Sequence, residues 1–495
     1  MITKEDALHK VEEQVSKLKR LVDQAFDEEL PIHEVERELF TVLMDMGLMA
    51  LTAHVARQGD GNVGKHLERG GETLLRLKGQ HKRCYRSIYG PIDISRYVYG
   101  TREAQEIKHV PLDARLGLPA GDISYVLEDW LERMCVKDAF RDSVDSLVAL
   151  LGVRAKLSVD TAEEHCRQMA QHAASFRASQ AMPPAREEGP LLVVTADGTS
   201  VPMRRSLDRS LDPKEQHRVP SRGSKGEGAQ KYQMAYVGAI YTIDPFVRTS
   251  DEILDELLRK RRAKDRPAPK HKHVWAKMTR PGDDSKKGLL THGPTYLFAE
   301  LAVECHARNP GKNKQLICLL DGEKQFWELQ EDWLRRAVGI LDIYHVMKRL
   351  RQAAECFHPE NSDEAKRFVE RYLRTILEGR VGTVIRSFRK LITTHHLTGE
   401  KLKRLTATIT YYTNNRRHMR YNEYLAAGYP IGSGVAEGAC GHVVKDRMAC
   451  TGMRWSLEGA PAMLHLRALY LNGDWHDFVE HRIEHEQDAL YAQAA

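Results

Sequence analysis

Leu191-Leu192-Val193-Val194-Thr195-Ala196-Asp197-Gly198 decides the fold class: a short apolar run ends in an aspartate and a glycine. Short runs of apolar and β-branched residues closed by turn residues read as strands buried on both faces. Working outward, Ser200–Met203 continues as a second strand and Lys231–Ile243 as a third. Pro294–Arg308 has a helical pattern, and Leu316–Leu320 is a buried strand ending in Asp321-Gly322. Glu323–Arg336 is helical again, and Val338–Leu341 is a last strand ending in Asp342. Three strands, then helix, strand, helix, strand, predict a partly parallel sheet covered on both faces.

The rest of the 495-residue chain divides around this core. Residues 1–82 read as helical, with Val35, Leu39, Val42, Met46, Met49 and Ala53 recurring at three- and four-residue spacing until Gly59-Asp60-Gly61-Asn62 ends the helix. A region at 83–180 opens with a β-hairpin around Gly90-Pro91. It continues with helical segments at Asp138–Leu151 and from Val159, outlining a helix-turn-helix with Arg154 and Lys156 at the turn. The Pro-rich stretch 181–190 reads as a linker, 191–344 as the first core segment, 345–427 as a helical insertion, 428–475 as the last core segment and 476–495 as a tail. Two excursions interrupt the core. One, 204–230, is polar. The other, 259–280, carries ten Lys and Arg, including Arg261 and Arg262, against Asp265, and reads as a solvated arm or a phosphate-neutralising loop.

Composition narrows the class. Hydrophobic residues make up 42% and charged residues 29%, as in globular proteins with real cores. Mean hydropathy is −0.51. No apolar run approaches the length of a spanning helix, and Met1–Lys19 shows no leader pattern. The eight cysteines form no C-x-x-C pair, so a cytoplasmic chain with reduced thiols is expected, and no membrane partner. A formal charge of +6 says little about nucleic acid until its distribution is known.

The chemistry concentrates at strand ends. Asp197 and Asp321 each close an apolar run and precede a glycine; an isolated Asp-Gly of this kind is an ordinary turn. Raised side by side at a sheet's carboxyl edge, two carboxylates repel, and Mg²⁺ with its preference for hard oxygen ligands is the usual compensation. Gly432-Ser433-Gly434 forms a tight loop before a helix whose first turn carries Glu437, a third carboxylate. Asp342 and His345 form Asp-x-x-His, a pair that binds metal, orients a ligand or bonds internally; no Cys or second His stands at zinc spacing. Lys445, Arg447 and Arg454 suit phosphates and Trp455 suits base stacking, unless this segment is a helix end with Trp455 buried.

Thr195-Ala196-Asp197-Gly198-Thr199, Leu319-Leu320-Asp321-Gly322, Leu341-Asp342-Ile343-Tyr344-His345 and Ile431-Gly432-Ser433-Gly434 through Glu437 together resemble bacterial DDE insertion-sequence transposases of the ISKra-type group and the wider Mutator-like branch. Lys445-Asp446-Arg447-Met448 and Gly452-Met453-Arg454-Trp455-Ser456 carry the same resemblance, which covers roughly 190–475. It implies an α/β RNase H-like catalytic core with a helical insertion, preceded by a mainly helical DNA-binding region with a β-hairpin. Asp197, Asp321 and Glu437 would hold two Mg²⁺ or Mn²⁺ ions, with Asp342 and His345 beside them. The implied activity is cleavage at the terminal inverted repeats of a mobile element and strand transfer into target DNA, by a homodimer or larger assembly, in a bacterial cytoplasm. Either Asp321 or Asp342 fills the second aspartate position; the Asp-Gly context shared with Asp197 favours Asp321. A catalytically inactive DNA-binding regulator and another RNase H-like nuclease are the alternatives.

Overall fold

The computed structural model describes residues 4–101, 107–152, 157–204, 232–259, 266–279, 293–450 and 452–492, with side chains from His9 onward except those of Ala436 and Glu437. It is a mostly helical α/β protein with a mixed sheet. The chain forms two compact units, 1–176 with 475–495, and 177–474.

The first unit opens with two packed helices, α1 (Lys4–Asp27) and α2 (Ile32–Arg57). Residues 66–76, expected to be helical, instead form strands β1 (His66–Arg69) and β2 (Glu72–Arg76). The paired glycines Gly70-Gly71 between them take positive φ and turn the chain back. The expected hairpin is β3 (His81–Ser87) with β4 (Gly90–Arg96), and β5 (Tyr99–Gly100) joins β2. Helices α3 (Pro111–Leu116), α4 (Tyr125–Lys137), α5 (Phe140–Leu151), α6 (Val159–Gln171) and α7 (Ala173–Ser179) follow, α7 straddling the boundary of the units. The helix pair expected around residue 152 is α5 and α6. Ser158 caps α6 by accepting the Thr161 N–H at 3.1 Å. The stretch read as a tail is a long helix, Trp475–Tyr491, and belongs to this unit.

That last helix is held by charge. Arg482, 2% exposed, reaches Glu132 at 3.0 Å and also pairs with Glu128; Glu128 in turn lies 2.9 Å from His165. Burial pushes the Glu132 carboxyl well above its ordinary range, against the opposing pull of Arg482.

By length and composition α2 is also a helix apolar enough to cross a membrane, which the sequence reading did not anticipate. Its acids cluster in the first two turns and leave Asp45 as the only one beyond, so the run is apolar on average without being continuous.

The second unit is built on a five-stranded sheet of β6 (Leu191–Pro202), β7 (Tyr232–Ile243), β8 (Lys270–Met278), β9 (Gln315–Leu320) and β10 (Val338–Leu341). The spatial order is β8-β7-β6-β9-β10. The first three pair antiparallel; β6, β9 and β10 run parallel. Two expectations need correction. The strands expected at 191–195 and 200–203 are one twelve-residue strand. The strand expected at 231–243 is β7, but a further strand that was not expected, β8, falls inside the stretch 259–280 that reads as a solvated arm. There Lys277 is buried, its ammonium 3.8 Å from the Tyr296 ring and 3.4 Å from Glu300. His273-Val274-Trp275-Ala276 carries the strand pattern that the surrounding lysines hide.

Helices cover the sheet: α8 (Ser250–Leu257), α9 (Gly293–Arg308) and α10 (Lys324–Trp333). After β10 come α11 (Ile343–Ala354), α12 (Asp363–Leu377), α13 (Val381–Thr394), α14 (Gly399–Asn415) and α15 (Tyr421–Ala426), the expected helical stretch. Then α16 (Gly434–Cys440), a π turn over Gly441–Lys445, the short α17 (Asp446–Met448) and α18 (Gly459–Asn472) complete the unit. Apolar residues of the strands and of the inserted helices form one continuous core, from Leu191 to Ile431.

His418 locks the insertion to α10. Its ring stacks on Trp327 at 3.7 Å, and its Nδ1 lies 3.1 Å from the Gly339 carbonyl. Burial lowers its pKa to about 4. The unfolded chain therefore binds this proton first, near the ordinary value of about 6.5. The contribution of His418 is complete above about pH 6.5 and is lost as pH falls toward 4. Denaturant midpoints measured from pH 7 to 4 are expected to fall more steeply for wild type than for His418→Gln; parallel curves would refute this.

Candidate functional site

Strand register builds the site. β6 runs beside β9 as far as Ala196 opposite Leu320, and β9 beside β10 as far as Leu320 opposite Leu341. The next residue on each strand is an aspartate: Asp197, Asp321, Asp342. Neighbouring strands lie about 4.8 Å apart, so three carboxylate positions stand abreast at the carboxyl edge with Asp321 in the middle. Ligands of open α/β sheets bind at this edge. β6 is covered on both faces through Ala196 and first opens at Asp197.

The three differ in what they are bonded to. Asp197 Oδ1 accepts the Gly198 N–H at 2.8 Å, and Asp321 Oδ1 accepts the Glu323 N–H at 2.9 Å. Both are half-buried. Asp342 is fully buried: Oδ1 accepts from the N–H of Tyr344 (3.2 Å) and of Ser433 (3.0 Å), and Oδ2 lies 2.7 Å from His345 Nδ1. Together with the Ile343 N–H to the Ile431 carbonyl (2.9 Å), Asp342 pins the loop that leads into α16. The Asp-x-x-His pair thus bonds internally, one of the readings its spacing allowed.

Charge accumulates here. Burial raises the Asp321 carboxyl, and the charges of Asp197 and Asp342 raise it further, against the Glu323 N–H and His345. Burial followed by Asp321 and Asp197 raises Glu323. The hydrogen bond to Asp342 raises His345, with Asp321 and Asp197 adding to it. A carboxylate field of this kind is the setting in which hard cations bind.

The helix α16 packs on β6 and β7. Its Cys440 thiol hydrogen-bonds to the Asp197 carboxylate, and burial with that charge pushes the thiol far above its usual pKa. Glu437 stands in the same helix three residues earlier; its side chain lies outside the described residues. Among the described residues no three His, Cys, Asp or Glu side chains are arranged to hold a metal ion. Asp197 and Asp321 alone fit the common way Mg²⁺ is held, by one or two carboxylates together with substrate phosphates.

The insertion is tied to β9, β10 and the helix after them through tyrosines, two of which reach the edge itself. Tyr411 donates to the Asp321 carbonyl, Tyr412 to Val346 (2.9 Å), Tyr421 to Leu341 (2.7 Å) and Tyr424 to Gly339 (3.3 Å). Gly322 beside them has φ +93°, and a Cβ there would stand 2.7 Å from Leu341 Cδ1 and 2.8 Å from the Tyr411 hydroxyl. Only glycine lets the chain turn between Asp321 and α10 under that hydroxyl.

The basic candidates fare differently. Arg154, Lys156, Arg261 and Arg262 lie outside the described residues. Lys445 and Arg454 are exposed. Arg447 and Trp455 are a correction to the DNA-contact reading: they are 1% and 5% exposed, with the guanidinium 4.9 Å from the indole ring and the indole N–H donated to the Met448 carbonyl at 3.0 Å. Buried against each other, they pack the segment that follows α16. Sequence reasoning missed Glu323, Tyr411 and Cys440. Cys440 had a signal, its three-residue spacing from Glu437. Tyr411 comes from a helix ninety residues beyond Asp321 and had none.

Fold and edge define an α/β protein whose mixed sheet bears a row of acidic residues at its carboxyl end. A family model described as an uncharacterised protein family (UPF0236) matches residues 308–486. Among solved structures, the chain shows a weak similarity to the Drosophila P element transposase strand transfer complex, with 11% identity over 72% of this chain and 80% of that chain and a TM-score of 0.24. No curated protein matches.

Proposed function

We propose that this chain is a DDE transposase with an RNase H-like core, in which Asp197, Asp321 and Glu437 hold Mg²⁺ or Mn²⁺ and act on double-stranded DNA at the ends of a mobile element. The observation that carries this reading is the strand arrangement: an antiparallel trio followed by two parallel strands, in order β8-β7-β6-β9-β10, with aspartates in register where β6 and β9 end. The motif resemblance in the sequence supports it independently. Asp197, Asp321 and Glu437 would hold the ions, which when bound would supply charge stabilisation for an in-line phosphodiester substitution.

The chain's own part is positioning. The parallel register fixes Asp197 and Asp321 side by side, and the Gly198 N–H holds the Asp197 carboxylate. Asp342, one strand over from Asp321, and His345 bonded to it hold the α16 loop, so they act through their neighbours. Lys445 and Arg454 are the described cations proposed to meet phosphates, which fix position without reading sequence.

The test is incubation of the full chain with DNA bearing the flanking inverted repeats in Mg²⁺. Nicking at the repeat end with joined products is expected. Cutting without joining would make it a nuclease, and tight binding without cutting in Mg²⁺ or Mn²⁺ would make it a regulator.

Tyr411→Phe probes the link between insertion and site. Removing one hydrogen bond costs about 1 kcal/mol of stability. Because the lost bond holds the backbone of Asp321, cleavage is expected to fall by roughly tenfold or more, since small misplacements of catalytic groups are costly. Unchanged cleavage would detach the insertion from the chemistry.

A further inference from the structure

β7 ends at Ile243, and Asp244-Pro245-Phe246-Val247-Arg248 carries the chain to Thr249, the cap of α8. Val247 and Thr249 are exposed, whereas Arg248 between them is buried, with 9% of its surface exposed. Its guanidinium ties two loops together. Nε donates to the Phe246 carbonyl at 3.0 Å, and Nη2 donates to the Tyr429 carbonyl at 2.5 Å. Both acceptors are neutral. Among the described residues no carboxylate pairs with Arg248, and its Nη1 has no hydrogen-bond partner.

The acids nearby are engaged elsewhere. Asp244 holds Lys270 at 2.8 Å, Glu256 pairs with Arg266, and Glu252 accepts the Thr249 N–H at 2.9 Å in the capping box of α8. Burial lowers the Arg248 pKa to about 10, and the charge of Arg266 lowers it further against the pull of Glu256 and Glu252. A buried charge without a counter-charge is costly, so an arginine kept in this state points to an anion supplied from outside the chain.

The same side chain lines a cavity of about 250 Å³ within the second unit. Its walls are apolar, with Phe246 from the loop, Ile253 and Leu257 from α8, and Ile431 from the loop before α16. The Tyr344 ring supplies a flat side. Gly432 lies against that ring, where a Cβ would stand 2.8 Å from Tyr344 Cε2. The cations lining the cavity are Arg248 and Arg266, and its one lining acid is Asp244, already held by Lys270. The volume is below the roughly 300–1,000 Å³ typical of drug-sized ligand sites, which suits one ring and its anionic group. A guanidinium presents parallel N–H groups that match the paired oxygens of a carboxylate or phosphate.

We infer that this cavity is a binding site for a small organic oxyanion, a carboxylate or phosphate borne on a flat apolar body, with Arg248 as its counter-charge. The wall from Pro430 to Val435 is the segment that Asp342 pins and that opens α16, so a bound ligand rests against the lead-in to Glu437. The assignment does not use the catalytic reading, and failure of either leaves the other standing.

Isothermal titration of the full chain with phenyl phosphate and with phenylacetate tests it. At least one of them is expected to bind once per chain with a dissociation constant of roughly 1 mM or tighter. Inorganic phosphate and benzyl alcohol, each lacking one half of the recognition, are expected to bind at least about tenfold more weakly. Arg248→Met should weaken the bound probe by roughly tenfold or more. That variant also frees two carbonyls, so Leu257→Trp, which fills the cavity and keeps the guanidinium, is the companion. It should abolish binding and leave the circular dichroism spectrum as in wild type. A 5′-phosphorylated DNA end should displace the probe no better than the same end with a 5′-hydroxyl; better displacement would overturn the small-molecule assignment and seat a strand terminus there. A wild-type chain that binds neither probe at about 10 mM would overturn the proposal. So would Arg248→Met and Leu257→Trp chains that bind as tightly as wild type.

Discussion

If the chain is the transposase proposed above, Asp321→Asn is expected to lower metal-dependent cleavage of a DNA end by roughly 10³-fold or more and to leave end binding within about threefold, on the scale seen when a central catalytic group is removed. Asp321 is the residue for this test because it is the middle of three. Asp197 lies one strand away on one side and Asp342 one strand away on the other. A metal-binding pair that includes Asp197 therefore takes Asp321, the adjacent partner. Stability separates the two aspartates. Asp321→Asn relieves repulsion in a row of carboxylates, so its unfolding midpoint should equal or exceed that of wild type. Asp342→Asn disturbs a fully buried carboxylate that serves two N–H donors and His345, and should cost about 1–3 kcal/mol while reducing cleavage only in part. Cleavage rates and denaturant melts on the two variants decide the matter. A dead Asp342→Asn beside a fully active Asp321→Asn would exchange their roles.

The largest expected loss of stability lies in the other unit. Arg482→Met leaves Glu128 and Glu132 buried with their common partner gone. Removing one side of a buried ion pair typically costs 3–5 kcal/mol, and about that is expected here from urea denaturation. Glu128→Gln and Glu132→Gln added to Arg482→Met should recover much of it, because neutral amides need less compensation than charges. A loss below about 1 kcal/mol for Arg482→Met would show that water already screens the cluster.

The parts legible in sequence were those with local causes. The β6, β9 and β10 runs, with their terminal aspartates, are short apolar segments closed by turn residues, and the chain reads them directly. β8 escaped because lysines flank it and one, Lys277, is buried through its contact with Tyr296, a tertiary fact. β1 and β2 are only four and five residues long and hold one and two leucines respectively, too little period to show. At the edge itself, Asp197 and Asp321 were visible, whereas Tyr411 and Cys440 became part of it through packing of distant helices. The inward turn of Arg447 and Trp455 was likewise decided by their contact with each other, which spacing alone does not choose.

The helix Trp475–Tyr491 has a temporal consequence. It supplies Arg482 to glutamates near residue 130, so the first unit is finished only after the whole second unit has been made. At roughly 5–20 residues per second, synthesis of the intervening ~300 residues takes about 15–60 s, during which Glu128 and Glu132 wait on the nascent chain without their arginine. The order of birth is thus reversed relative to the order of sequence: the sheet-bearing unit can close first, and the unit that begins the chain closes around its returning end.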